Sequence, residues 1–272
     1  MTLRKKTILA ISVIMFILMG VFYALARLIV LNSFHNLEVQ EVRQHAQRVV
    51  NALLQELEEV DNATVDWSAW DDTYTFITNG NTDYRKSSLG NESLANIRIN
   101  VILFINTAGQ VVFSKAVDWR NNREQPLPES LQQHVTPDAP LLQHPDLRRG
   151  VSGILVLREG VLLVVSRPIL TSTQEGPSRG SLMMGRFLDP AQLEELMDVT
   201  HLALTFFPFA DPQMPPDCLA ARAPLSPNAP LFVQPLSQKT IAGYVVVNDI
   251  YNTPGLILRV EQPRTIYNQG KT

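Results

Sequence analysis

The densest group of chemically useful side chains lies between Asp66 and Phe76, in the segment DWSAWDDTYTF. Two of the three tryptophans and three carboxylates fall between Asp66 and Asp72. Aromatic faces beside carboxylates suit a cationic or amine ligand, and on one continuous helix Trp67, Trp70, Asp71 and Tyr74 would share a face. A structural role suits them equally, because the rings could pack the helix onto a sheet while Asp71 and Asp72 cap turns.

Two arginines, Arg167 and Arg186, fall at the ends of predicted strands. They could pair with Asp71 or Asp72, or bind the carboxylate of a ligand through a guanidinium fork. The two alternatives imply ligands of opposite charge, and the sequence leaves both open. The candidate ligand-binding residues are therefore Trp67, Trp70, Asp71, Asp72, Tyr74, Arg167 and Arg186.

Other kinds of site have little support in the residue pattern. His134 and His144 share a proline-rich loop with Asp138 and Asp146, but their spacing is a weak metal signal, so we expect no metal and no cofactor. The chain carries one cysteine, Cys218, which excludes an intramolecular disulfide framework. No nucleophile elbow, zinc-protease motif or phosphate-binding loop is present, so we expect no catalytic residues and no enzyme activity.

The first thirty-one residues indicate a membrane anchor. Thr7 to Ala26 is uncharged and mostly apolar, and the apolar run resumes after Arg27 up to Leu31, which is long enough to span a bilayer as a helix. Arg4, Lys5 and Lys6 precede it, so we expect a cytoplasmic N-terminus and an extracytoplasmic body. A cleavable signal peptide is the alternative, because Ala24-Leu25-Ala26 resembles a cleavage site. The remaining chain is acidic, which argues against nucleic-acid binding.

A long helix is predicted to follow the anchor. No glycine or proline occurs from Val21 to Asn79, and apolar residues recur in steps of three or four. We expect this stripe to pack on the chain's own sheet along one stretch and to pair with a second copy along its membrane-proximal half, which predicts a homodimer through the long helix. The stripe consists of Val39, Val42, Ala46, Val49, Leu53, Leu57 and Val60.

Beyond Gly80 the pattern predicts an antiparallel sheet of five strands in a meander, followed by a helix that Asp189 and Pro190 start. The predicted strands are residues 98–105, 110–117, 153–157, 161–169 and 180–188. Residues 126–145 are predicted to be a loop, and the proline-rich stretch from Pro208 to Pro235 is predicted to lack regular structure. Three further strands are predicted, at residues 202–207, 240–248 and 255–261. They either form a small β-rich subdomain or extend the sheet. The fold class is α+β.

The tryptophan segment resembles the D-W-x-x-W-D-D-T-Y motif of CHASE4 domains, the extracytoplasmic sensor modules of bacterial diguanylate cyclases, phosphodiesterases and histidine kinases. Three weaker features are similar to the same family: Val165 to Ile169, Gly180 to Asp189, and Pro254 to Tyr267. The resemblance covers about residues 30–270. It implies a Cache/PAS-like fold that binds a ligand outside the cytoplasm and passes the change through membrane helices.

The predicted organisation is a cytoplasmic tail (1–6), a transmembrane helix (7–31), a signalling helix with a Cache/PAS-like core (32–200), and a proline-rich segment with C-terminal strands (201–272). No second span and no output enzyme follow, unlike the family pattern, so we expect the sensory part of a longer protein or a truncated member. The expected function is a ligand-sensing input module in the inner membrane. The alternative is a membrane-tethered scaffold whose contact surface is Pro208 to Pro235.

Overall fold

One helix, α1 (Leu3–Ser68), has 66 residues and is about 100 Å long at 1.5 Å per residue. In the computed structural model, residues 3–226 and 229–270 are described, with side chains from residue 11 onward. Met1 and Thr2 of the predicted cytoplasmic tail, and four residues of the predicted C-terminal section (227, 228, 271 and 272), lie outside them. The helix confirms the prediction of a long element without a breaker.

Three short helices connect the end of α1 to the first sheet: α2 (Asp71–Asn79), α3 (Thr82–Ser88) and α4 (Asn91–Asn96). Trp70 separates α1 from α2 because its backbone is extended, with φ −120° and ψ 131°. The expectation that the tryptophan motif continues one helix is therefore wrong. Trp67 belongs to α1, whereas Asp71 and Tyr74 belong to α2.

The first sheet has six antiparallel strands in the order β3-β2-β1-β6-β5-β4. Their bounds are β1 (Val101–Asn106), β2 (Val111–Asp118), β3 (Arg123–Gln125), β4 (Val151–Val156), β5 (Val161–Pro168) and β6 (Gly180–Phe187). Five of them match the predicted strands, but the sheet is not a meander, because β1 pairs with both β2 and β6. The short edge strand β3 carries no apolar alternation and was not predicted.

The second sheet has four antiparallel strands in the order β7-β10-β9-β8 and is separate from the first. Helix α5 (Pro190–Thr200) leads into it, and Asp189 caps this helix by accepting a hydrogen bond from the Gln192 backbone N–H, as predicted. The strands are β7 (Ala203–Pro208), β8 (Leu231–Pro235), β9 (Thr240–Asn248) and β10 (Pro254–Pro263), and α7 (Thr265–Gln269) follows β10. The C-terminal strands thus form a subdomain of their own.

The proline-rich segment is more regular than predicted. It contains α6 (Pro216–Ala221) and β8, because proline is tolerated in the first turn of a helix and at the end of an edge strand. Four of its side chains are buried against β9 and β10. They are Met214, Cys218, Ala221 and Leu225.

Both sheets pack on α1. The apolar stripe of the helix is buried by the chain's own strands: Val42, Ala46 and Val60 have no exposed surface, and Val49 and Leu53 have almost none. At Gly243 of β9, an added Cβ would lie 2.6 Å from Val42 Cγ1, so glycine permits the close approach of helix and sheet. From Val42 to Val60 the stripe therefore packs on the chain's own sheets, and the homodimer through the long helix stays a prediction.

The other face of the six-stranded sheet is covered by residues 126–147, which we call the covering segment. It is mostly irregular, with short 3₁₀ helices at Glu129–His134 and Pro140–Leu142. Leu131 and Leu141 are fully buried there against Leu103, Leu162 and Met183. With both faces covered, β1 reads as a continuous apolar run. The architecture is the α+β, Cache/PAS-like arrangement that the resemblance implied: a long N-terminal helix against mostly antiparallel sheets.

Candidate functional site

The predicted tryptophan site is divided between two helices and the loop that follows β5. Trp67 packs on the core formed by α1, α2 and the first sheet, while Trp70 is 42% exposed and meets the ring of Tyr84 edge-on at 6.1 Å. Asp72 is exposed at the start of α2 beside Asp71. The motif therefore does not present one shared face of aromatic and acidic groups.

Asp71 and Tyr74 hold the loop formed by residues 171–179. The Asp71 carboxylate accepts hydrogen bonds from the Ser172 backbone N–H at 3.0 Å and from the Ser172 hydroxyl at 2.8 Å, which lower the pKa of Asp71. Arg179 stacks on the Tyr74 ring at 3.8 Å and donates a hydrogen bond to the Tyr74 carbonyl. These contacts tie α2 to the loop between β5 and β6.

Arg167 and Arg186 are both paired with carboxylates of α1. Arg167 forms a two-pronged ion pair with Asp61, at 2.7 Å and 2.5 Å, and also donates to the Arg148 carbonyl. Arg186 is 2% exposed and contacts Glu56 at 2.7 Å and Glu59 at 3.0 Å. The expected pairing with Asp71 or Asp72 is wrong, because the end of α1 turns away at Trp70 and leaves earlier carboxylates of the helix facing the strands.

A cleft lies where the two sheets meet, away from the tryptophan motif. Its volume is about 780 Å³. We call it the junction cleft; the end of β2, the covering segment, the β4–β5 turn, the start of α5 and β7 form its walls. Its lining residues are Asn100, Ala116, Val117, Asp118, Arg120, Asn121, residues 125–129, residues 159–161, residues 187–190, Phe206 and Pro208.

Acidic groups dominate the charge of the junction cleft. Hydrogen bonds from Asn121 lower the pKa of Asp118, and hydrogen bonds from Ser130 lower the pKa of Glu159, so both are ionised at neutral pH. The cleft guanidinium, Arg120, is already paired with Glu195 at 2.8 Å and stacks on Trp119 at 4.2 Å. Phe187, Phe206 and Leu127 supply apolar surface.

A smaller cavity of about 270 Å³ lies at the opposite end of the covering segment. His144 borders it, and its Nε2 lies 3.0 Å from the Ser181 hydroxyl, while Nδ1 is buried without a hydrogen-bond partner. Burial, together with the nearby Arg167, lowers the pKa of His144 to about 4, so the imidazole is neutral. Among the residues described, no group of His, Cys, Asp and Glu is arranged to hold a metal ion.

A family model for the CHASE4 domain matches residues 52–207, which is more than half of the chain. The chain belongs to the CHASE4 domain family. The methanogenesis regulatory histidine kinase FilI of Methanothrix harundinacea is 26% identical to it over 246 residues, covering 88% of this chain and 26% of the kinase. The chain thus spans about a quarter of that relative's length.

The solved structures with detectable similarity include periplasmic and sensor domains. The periplasmic domain of Vibrio cholerae LuxQ aligns with a TM-score of 0.49 and 11% identity, over 82% of this chain and 99% of that one. The sensor domain of the V. cholerae histidine kinase DctB aligns with a TM-score of 0.44 and 9% identity, over 82% and 96%.

This CHASE4 chain is a membrane protein with an extracytoplasmic body. The N-terminal part of α1 is long and apolar enough to cross a bilayer, and its most apolar window of side chains is not buried against the described protein. The junction cleft was missed by the sequence analysis, since its lining comes from six separated stretches. The only sequence signal near it was the pair Asp189-Pro190, which we used as a helix start.

Proposed function

We propose that this CHASE4 chain is the ligand-sensing input module of a signal-transduction protein, and that the junction cleft binds the ligand. The volume of the cleft carries this proposal, because about 780 Å³ is within the range of sites that hold small molecules. Aromatic and aliphatic walls with a few polar groups also match the usual lining of such sites. The tryptophan motif then keeps the helix end and the 171–179 loop in place.

The charges of the cleft favour an organic cation with an apolar portion, such as an amine. Its lining residues include one guanidinium, that of Arg120, and four carboxylates, those of Asp118, Glu129, Glu159 and Asp189. Because Arg120 is already neutralised by Glu195, an incoming carboxylate would have to displace that partner. An amine would instead meet ionised carboxylates, whose oxygens can each accept a further hydrogen bond beside those from Asn121 and Ser130.

The remaining parts of the proposal concern topology and output. We propose that the N-terminus is cytoplasmic, that the anchor is retained, that the chain works as a homodimer, and that it has no enzyme activity of its own. The output would be a histidine kinase or a cyclic-di-GMP enzyme, in keeping with the histidine kinase among its relatives. Four buried side chains attach the proline-rich segment to the second sheet, so the scaffold alternative would have only the exposed residues of that segment as its contact surface.

A thermal-shift screen of the full chain in detergent tests the proposal, with 1,4-diaminobutane, alkylamines, dicarboxylates and sugars as probes. A probe at 100 times its dissociation constant should stabilise the body by about 2.7 kcal/mol, which is a shift of a few degrees. The double variant Asp118→Asn, Glu129→Gln should lose the response to amines, whereas the control Asp83→Asn on α3 should keep it. A response to dicarboxylates alone would contradict the cationic ligand, and no response from a folded chain would contradict the small-ligand proposal.

A further inference from the structure

We infer that Gln192 connects the junction cleft to the signalling helix α1, so that binding in the cleft alters the packing of α1 near Glu56. This inference rests on the proposed function, since it assigns a route for the signal from that site. It is carried by a continuous set of polar contacts between the described residues, in which the amide of Gln192 occupies the middle position.

The cleft end of the route is Arg120. Its Nη1 donates to Glu195 at 2.8 Å and its Nη2 lies 3.5 Å from the Gln192 side-chain oxygen, while its Nε is 3.9 Å from Asp189. The side chain is 29% exposed and lines the cleft, so a ligand can reach it. Any group that binds Arg120 or Asp189 competes directly with these contacts.

Gln192 itself is 1% exposed on α5, and its side-chain amide contacts both ends of the route. The oxygen faces the guanidinium groups of Arg98 and Arg120, each at 3.5 Å. The nitrogen donates to Glu56 on α1 at 2.8 Å and also lies 3.5 Å from Glu195, the partner of Arg120. A planar amide cannot keep both sets of contacts if one side moves, because it rotates as a unit. Its burial also prevents water from replacing a lost partner.

The α1 end is a charge cluster around the buried guanidinium of Arg186. Glu56 Oε2 accepts from both Gln192 and Arg186, and Arg186 donates its Nε–H to the Arg98 carbonyl at 2.9 Å. The backbone of Arg98 is left-handed, with φ +57°, a conformation that residues other than glycine rarely adopt. The surrounding hydrogen bonds fix this conformation, so a change at Gln192 disturbs several partners of Glu56 together.

A second arginine on the same sheet provides the comparison. Arg167 is also paired with a carboxylate of α1, Asp61, but neither residue lines the junction cleft or contacts Gln192 among the described interactions. The Arg167–Asp61 pair therefore attaches α1 to the sheet but has no contact through which a change in the cleft could reach it. The Arg186–Glu56 pair has such a contact, through Gln192.

Hydrogen–deuterium exchange of the full chain in detergent tests the route without any ligand. Arg120→Ala should speed exchange of α1 amides in residues 52–60 at least about twofold, as coupling of this kind usually does. The matched control Arg85→Ala, whose guanidinium stacks on Phe113 outside the route, should leave those amides unchanged. In a Gln192→Leu background, Arg120→Ala should add nothing further to α1 exchange.

Two results would overturn the inference: no change in α1 with Arg120→Ala, or the same change when Gln192→Leu is present. If Gln192→Leu does not fold, Glu56→Gln interrupts the other end of the route and takes its place. Because no ligand is added, this outcome is independent of the thermal-shift screen. A blank screen with an intact route rejects the ligand site alone, and a positive screen without coupling rejects the route alone.

Discussion

Glu38 on α1 and Arg264 after β10 form an ion pair that is almost completely buried, with side-chain exposures of 1% and 8%. The Arg264 Nε–H and Nη2–H both donate to Glu38 Oε2 at 2.9 Å, while Glu38 Oε1 is buried without a partner. Gln262, two residues before Arg264 on β10, donates a hydrogen bond to Glu41 and lies beside His45. These contacts attach the last strand of the body to α1 close to the predicted membrane surface.

Arg264→Ala should lower the free energy of unfolding of the body by about 3 to 5 kcal/mol, because it leaves the Glu38 carboxylate buried and unpaired. Guanidinium unfolding in detergent measures it. The double variant Glu38→Leu, Arg264→Met should regain most of the loss, since a buried pair and an apolar pair differ little in net stability. Arg149→Ala, which removes an exposed pair with Asp146, is the control and should cost under about 1 kcal/mol. A double variant no more stable than Arg264→Ala would show that packing, not the unpaired charge, sets the cost.

Gly180→Ala should destabilise the fold by about 3 kcal/mol or more. Gly180 starts β6 with φ +144°, and an added Cβ would lie 2.0 Å from the Ile105 carbonyl oxygen on the paired strand. Neither the backbone of β1 nor the strained φ can adjust. Gly90→Ala is the matched control, because nothing lies within 4 Å of a Cβ there. Equal melting temperatures for the two variants would be incompatible with this account.

The stability of the body should fall between pH 6.5 and about 4 because of His144. Its pKa is lowered to about 4 in the fold, so the unfolded chain binds the proton first as the pH drops and the folded state loses its advantage. Allowing for partial solvent screening, the loss at pH 5 relative to pH 7.5 should be on the order of 1 kcal/mol. His144→Gln should show a correspondingly flatter dependence on pH when unfolding is measured at both values. An unchanged dependence would mean that His144 does not carry the effect.

Trp67→Ala should cost more stability than Trp70→Ala, by about 2 to 3 kcal/mol against about 1. Trp67 packs against the main core, whereas Trp70 is 42% exposed and meets one ring. If the junction cleft is the ligand site, neither variant should change the thermal shift produced by an amine once its own melting temperature is taken as the reference. If Trp70→Ala alone lost the amine-induced shift, the result would favour a ligand site at the tryptophan motif over one in the junction cleft.

Local patterns were enough to place most of the elements. Strand β9 has the predicted bounds, and the Asp189 cap and the turn at Asn106 to Gly109 are where the sequence indicated, because these signals act over a few residues. The stripe from Val42 to Val60 was recognised as an apolar face, yet the sequence left open whether a second copy or the chain's own sheets would cover it. Burial by both sheets is a property of the assembled fold.

The positions of the candidate site residues depended on longer-range contacts. The helix ends at Ser68 although no glycine or proline is near, and the next helix is held through Asp71 by Ser172, a residue about one hundred positions later. Because the chain changes direction at Trp70, the motif carboxylates do not face the strands. Arg167 pairs with Asp61 and Arg186 pairs with Glu56 instead.

The sequence by itself determined the apolar membrane helix, its long continuation, the strand-rich body and the resemblance that placed the chain in the CHASE4 family. The tertiary structure decided the strand order, the partners of the buried arginines and the junction cleft. Hydrophobic periodicity and turn residues act between neighbours in the chain, so they can be read directly from it. A cleft and a buried ion pair depend on which distant segments meet, and only the packing of both sheets on α1 brings those segments together.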